Sequence, residues 1–132
     1  MSARLGSTSV QETPGLLKAE LGYCTMTEIA ELYRTLAVTC VEKQTSRVLI
    51  VTGDDDPAGE RALRDALTVM ILAGLPAHFR LAVVVTLPRA VRIYLNTERD
   101  LNAAGVRTRL FENEGEARLW LAGRAADTPR RV

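Results

Sequence analysis

The sequence predicts an α/β fold: a single domain on a mixed, mostly parallel sheet of four or five strands, flanked by about four helices. Three observations predict it. The hydrophobic period switches repeatedly between strand-like and helix-like. Two short runs, Arg47–Thr52 (RVLIVT) and Arg80–Thr86 (RLAVVVT), are continuously apolar after their arginine, which suits strands buried on both faces. A helical pattern separates successive strands from residue 17 onward, the arrangement of parallel strands joined by crossover helices. The predicted order is β-β-α-β-α-β-α-β-α.

The elements follow in turn. Residues 3 to 11 are weakly patterned and suit a short first strand, closed by a turn at Thr13, Pro14 and Gly15. From Leu17 to Tyr23 the chain alternates: Leu17, Ala19, Leu21 and Tyr23 on one face, Lys18 and Glu20 on the other. That is a strand with one face on a core, paired in a hairpin with the first. Thr25 and Glu28 have capping-box spacing. Ile29, Leu32, Tyr33, Leu36 and Cys40 then recur at helical intervals, predicting a helix to about Lys43. After the RVLIVT strand, Ala62, Leu63, Ala66, Leu67, Met70 and Ile71 form the stripe of a second helix, ended by Gly74 and Pro76. Glu60 with Arg64, and Arg61 with Asp65, read as exposed i,i+4 pairs. Pro88 opens a third helix through Ala104, with Gly105 beyond its end. Val106 to Phe111 is a strand whose charged alternate residues, Arg107 and Arg109, place it near a sheet edge. Asn113 caps a last helix that buries Ala117, Trp120 and Leu121 and stops at Gly123. The domain is therefore read as residues 1–123, with 124–132 a flexible tail.

Bulk properties exclude several classes. At 132 residues the chain is long enough for one real core. A hydrophobic share of 47% and a charged share of 25% are ordinary for a globular protein. The net charge of +1 gives no support to a nucleic-acid surface. Lys18 and Lys43 are the only lysines; the other basic residues are arginines. Cys24 and Cys40 lack metal-ligand spacing and are too few for a disulfide framework, so both are expected as buried thiols in a reducing compartment. The first fifteen residues contain no apolar signal core, and no run approaches the length of a membrane span. The expected location is cytoplasmic.

The stretch from Val48 to Leu63, VLIVTGDDDPAGERAL, places three aspartates between a strand and a helix. Helix initiation accounts for all three. Asp56 precedes Pro57, a residue before proline avoids the α region, and aspartate followed by proline is a strong helix start. Asp54 and Asp55 sit where the helix dipole favours negative charge. A functional reading stays open beside this one. Ligands of such sheets bind outside the carboxyl ends of the strands. Thr52, Gly53, Asp54 and Asp56 leave one such end, and Thr86 and Arg89 leave another. These six are the candidate ligand-binding residues.

Specific chemistries fare worse. A phosphoacceptor receiver or a dehalogenase-type phosphatase needs a late lysine, and none follows Lys43. A Walker loop needs lysine where Glu60 stands. The enzymatic alternative is a metal- or phosphate-dependent enzyme using Asp54 and Asp56, which could hold a bare Mg²⁺ ion. His78, the single histidine, falls in a connection and reads as a loop residue. No serine occupies a nucleophile elbow. Arg107 and Arg109 share one strand face, and either pair with Glu112 or Glu114 or bind an anion.

The closing segment, Arg109-Leu-Phe111-Glu-Asn-Glu114-Gly-Glu116-Ala117-Arg-Leu-Trp120-Leu121, resembles the end of the SpoIIAA-like proteins, relatives in fold of the anti-sigma-factor antagonist (STAS) domains. The capped helix after Gly22-Tyr-Cys-Thr25 and the VLIV and LAVVV strands fall in matching order, so the resemblance covers roughly residues 15 to 123. It implies a sheet flanked by helices and no established catalysis. In the antagonists a D-S-S-G-like turn before the second helix carries a phosphorylated serine. The matching positions here are Asp56-Pro57-Ala58-Gly59, which contain no hydroxyl, so the resemblance does not extend to a phospho-switch. SpoIIAA-like proteins also resemble lipid-binding CRAL-TRIO domains in fold, which implies an apolar ligand between helix and sheet.

The expectation is a non-enzymatic, cofactor-free binding or regulatory domain. Its partner would be a protein or a small, partly apolar, lipid-like molecule, with no nucleic acid and no membrane span. Self-association as a homodimer through an exposed helix stays open.

Overall fold

The computed structural model describes residues 9–13, 15–21, 26–52 and 57–123. The elements are β1 (Ser9–Thr13), β2 (Leu16–Leu21), α1 (Met26–Lys43), β3 (Arg47–Thr52), α2 (Pro57–Ala73), β4 (Arg80–Val85), a 3₁₀ turn (Pro88–Ala90), α3 (Val91–Ala103), β5 (Arg107–Phe111) and α4 (Glu114–Leu121). Among the described residues the fold is α/β, with four helices around one mixed five-stranded sheet. Strands lie in sequence order, β1-β2-β3-β4-β5. β1 pairs antiparallel with β2, and each later neighbour pair is parallel. The register sets Leu17 beside Val48, Val48 beside Leu81, and Leu81 beside Thr108.

Sequential parallel strands need crossovers of one hand. That puts α1, α2 and α3 on one face of the sheet, where α1 packs on α2 and α2 on α3. α4 follows β5 without a further strand and packs on the opposite face, against β3, β4 and β5.

Side-chain alternation sorts the sheet into two cores. Leu17, Ala19 and Leu21 of β2, Val48 and Ile50 of β3, Leu81 and Val83 of β4 and Leu110 of β5 face the three-helix layer. They meet Ile29, Leu36, Leu63, Leu67, Met70 and Tyr94 there. Leu49, Ala82 and Val84 face the other way, onto Ala117, Trp120 and Leu121. β3 and β4 are thus buried on both sides, which is why their sequences do not alternate. β2 is fully buried on one side and only partly covered on the other, so it does.

Element ends follow local chemistry. The Asn113 side chain accepts from the Glu116 amide at 2.8 Å and caps α4. Gly105, which follows the end of α3, has φ +90°, a conformation that costs other residues steric energy. Three details depart from expectation. Pro88 opens a 3₁₀ turn and α3 starts only at Val91, whose amide donates to the Pro88 carbonyl. Ile71 is exposed, because it lies off the stripe through Leu63, Leu67 and Met70. Glu60 is buried rather than part of an exposed pair. The 124–132 tail, Tyr23, Cys24 and Thr25 lie outside the described residues.

Candidate functional site

β3 and β4 end side by side, with Thr52 registered beside Val85. One residue on, Thr86 closes the junction twice. Its amide donates to the Thr52 carbonyl at 3.0 Å, and its hydroxyl donates to the same oxygen at 3.1 Å. Thr52 is buried, on the alternate that faces the helical layer. Thr86 and Arg89 are exposed. Arg89 stands in the 3₁₀ turn, which is closed by the Ala90 amide donating to the Leu87 carbonyl at 2.9 Å. Of the six sequence-predicted residues, Thr52 and Thr86 are therefore in direct contact, and Arg89 follows on the exposed connection. Gly53, Asp54 and Asp56 lie outside the described residues. Among the described residues, no three His, Cys, Asp or Glu side chains are grouped to hold a metal ion.

Between α2 and α3 stands a polar cluster that the sequence reading missed. Glu60, in the first turn of α2, accepts from the Thr97 hydroxyl of α3 and from Nε of Arg64. Arg64 reaches on to Asp100 of α3, with Nη1 donating to Oδ2 at 2.8 Å. The hydrogen bond from Arg64 holds the Asp100 carboxyl below its ordinary value, and the one to Glu60 holds Arg64 above its own. Thr97 is fully buried. The chain of four side chains therefore ties the start of α2 to the middle of α3. A signal for it existed. Glu60, Leu63, Leu67 and Met70 share one helical stripe by spacing, so Glu60 belonged with the buried residues; only its partner was illegible.

The opposite end of the sheet is basic. Arg47, Arg80 and Arg107 are registered side by side on β3, β4 and β5. Alternation places all three on the α4 face, with Arg109 the next residue on that face of β5. Arg80 is fixed by α4: its guanidinium lies 5.2 Å from the Trp120 ring, and Nη1 donates to the Trp120 carbonyl at 2.6 Å. A cation there also meets the negative end of the α4 dipole. Burial lowers the Arg80 pKa, and the charges of Arg107 and Arg47 lower it further. Arg109 lies 5.5 Å from the Phe111 ring. Glu114, a partner expected for these arginines, is instead held by Lys18 at 3.0 Å and by Arg118 at 2.8 Å.

Two open grooves border this same end. One, of about 500 Å³, is lined by Leu75, Pro76, His78, Phe79, Asn102, Gly105, Val106 and Arg107. The other, of about 430 Å³, is lined by Glu12, Thr13, Gly15, Lys43, Gln44, Thr45 and Ser46. His78 sits in the connection before β4, as expected, with a left-handed φ of +61°. No helix among the described residues is long and apolar enough to cross a membrane. No family model, curated protein or solved structure matches the chain.

Proposed function

We propose that the chain is a non-enzymatic binding or regulatory domain of the SpoIIAA-like type. It binds a partner protein or a small, partly apolar molecule at the carboxyl ends of β3 and β4, without a phospho-serine switch. One observation carries this reading: Thr86 bonds twice to the Thr52 carbonyl, so the two loops leaving these strands start from one rigid junction. A binding surface on loops is most selective when a fixed scaffold positions it. The Glu60–Thr97 tie adds to that rigidity, since α2 and α3 carry the far ends of the same loops. The ligand classes follow from the resemblance and from the mixed character of the loops: Leu87 and Pro88 offer apolar contact, Thr86 and Arg89 polar contact.

Native mass spectrometry of the purified chain, followed by denaturation and identification of anything released, tests the reading. A retained apolar molecule or a bound second protein is the expected result. A bare chain that also gains no mass when incubated with cell extract overturns it.

A further inference from the structure

We propose that the amino ends of β3, β4 and β5 form a second site, which takes the diphosphate group of a small molecule on the row Arg47–Arg80–Arg107. The row is a product of register. Arg47 pairs with Arg80, and Arg80 with Arg107, across two consecutive parallel ladders. Adjacent strands are about 4.8 Å apart, so the outer two positions are separated by about 10 Å. That span suits two linked phosphates better than one. Like charges on neighbouring strands repel and destabilise the sheet locally. An oxyanion bridging the three arginines removes that repulsion.

Other features of this end fit the same ligand. The residues of β3, β4 and β5 on the α4 face are Arg47, Leu49, Val51, Arg80, Ala82, Val84, Arg107, Arg109 and Phe111, and none is acidic. Glu20 and Glu114 pair with Lys18 of β2. The central guanidinium is immobilised on the Trp120 ring and carbonyl, so little side-chain freedom is lost when it binds. The flanking Arg47 and Arg107 are exposed and reachable. Arginine's planar fork is the side chain best matched to phosphate oxygens. Arg107 also lines the groove with His78 and Phe79 at this end of the sheet.

Trp120 is the single tryptophan of the chain and touches the central arginine, so its fluorescence reports occupancy. The experiment is a titration of the full-length protein with sodium pyrophosphate at fixed ionic strength, with sodium sulfate as the control anion. A saturable change with pyrophosphate, weakened about tenfold or more in Arg47→Gln/Arg107→Gln, is the expected result. Circular dichroism checks that this surface variant keeps its fold, and calorimetry repeats the titration without relying on the tryptophan. The proposal is overturned if neither method detects saturable binding, if sulfate binds equally well, or if the double variant binds as tightly as the wild type.

Discussion

Replacing Trp120 with alanine removes the largest side chain of the smaller core. The indole is 1% exposed and packs in one cluster with Leu49, Ala82, Val84, Ala117 and Leu121. It also meets the Phe111 ring at a centroid distance of 5.7 Å. Truncating a buried aromatic to alanine costs about 3–5 kcal/mol. The tilted ring pair accounts for about 0.5–1.5 kcal/mol of that. The Arg80 hydrogen bond goes to the backbone carbonyl and survives the change. A loss of about 4–5 kcal/mol follows, a third or more of the stability of most domains. With a urea slope of about 2 kcal/mol per M, the midpoint falls by about 2 M. Urea titration followed by circular dichroism measures it, because the variant has no tryptophan to report. Trp120→Phe keeps a ring against Phe111 and is expected to lose less than half as much. A midpoint shift below about 0.5 M for the alanine variant would refute the claim that one short helix closes this face around Trp120.

Three further outcomes are expected. Thr97→Val leaves the buried Glu60 carboxylate one donor short and should cost about 1–3 kcal/mol in the same urea assay. Burial pushes the Glu114 carboxyl upward, but its hydrogen bonds to Lys18 and Arg118 outweigh that and hold it below its ordinary value. A depressed carboxyl stabilises the fold above its unfolded value and ceases to as pH falls through the folded one. Glu114→Gln should therefore narrow the stability lost between about pH 5 and pH 3, read by thermal melts across that range. Burial pushes the Cys40 thiol up to about 11, and it donates to the Thr45 carbonyl at 3.2 Å. Cys40 should resist alkylation at pH 8 in the native protein and react once urea unfolds it, as peptide mapping of the labelled residue would show.

Much of the architecture was legible because each cue was local. The unbroken RVLIV and LAVVV runs announced strands covered on both sides, and they are the two strands lying between β2 and β5. Asn113 announced its cap, and Ala117, Trp120 and Leu121 their burial. The polar cluster was half legible: the stripe through Glu60 was there to be read, but Thr97 lies on another helix, and no periodicity links residues of separate elements. The arginine row was less legible still. Arg47 and Arg80 look like ordinary first residues of buried strands. Only the register between strands brings them abreast of Arg107, and register is a long-range property. Of the candidate residues at the other end, Thr52 and Thr86 meet for the same kind of reason, a pairing between strands.

The central claim is that the carboxyl ends of β3 and β4 hold the ligand or partner. Its most direct test compares, by native mass spectrometry, what is retained by Thr86→Ala/Arg89→Glu and by Arg47→Gln/Arg107→Gln. The account predicts that the first pair loses the bound species the wild type retains, while the second pair keeps it. Retention by the first pair with loss by the second would contradict it and move the binding surface to the arginine end of the sheet.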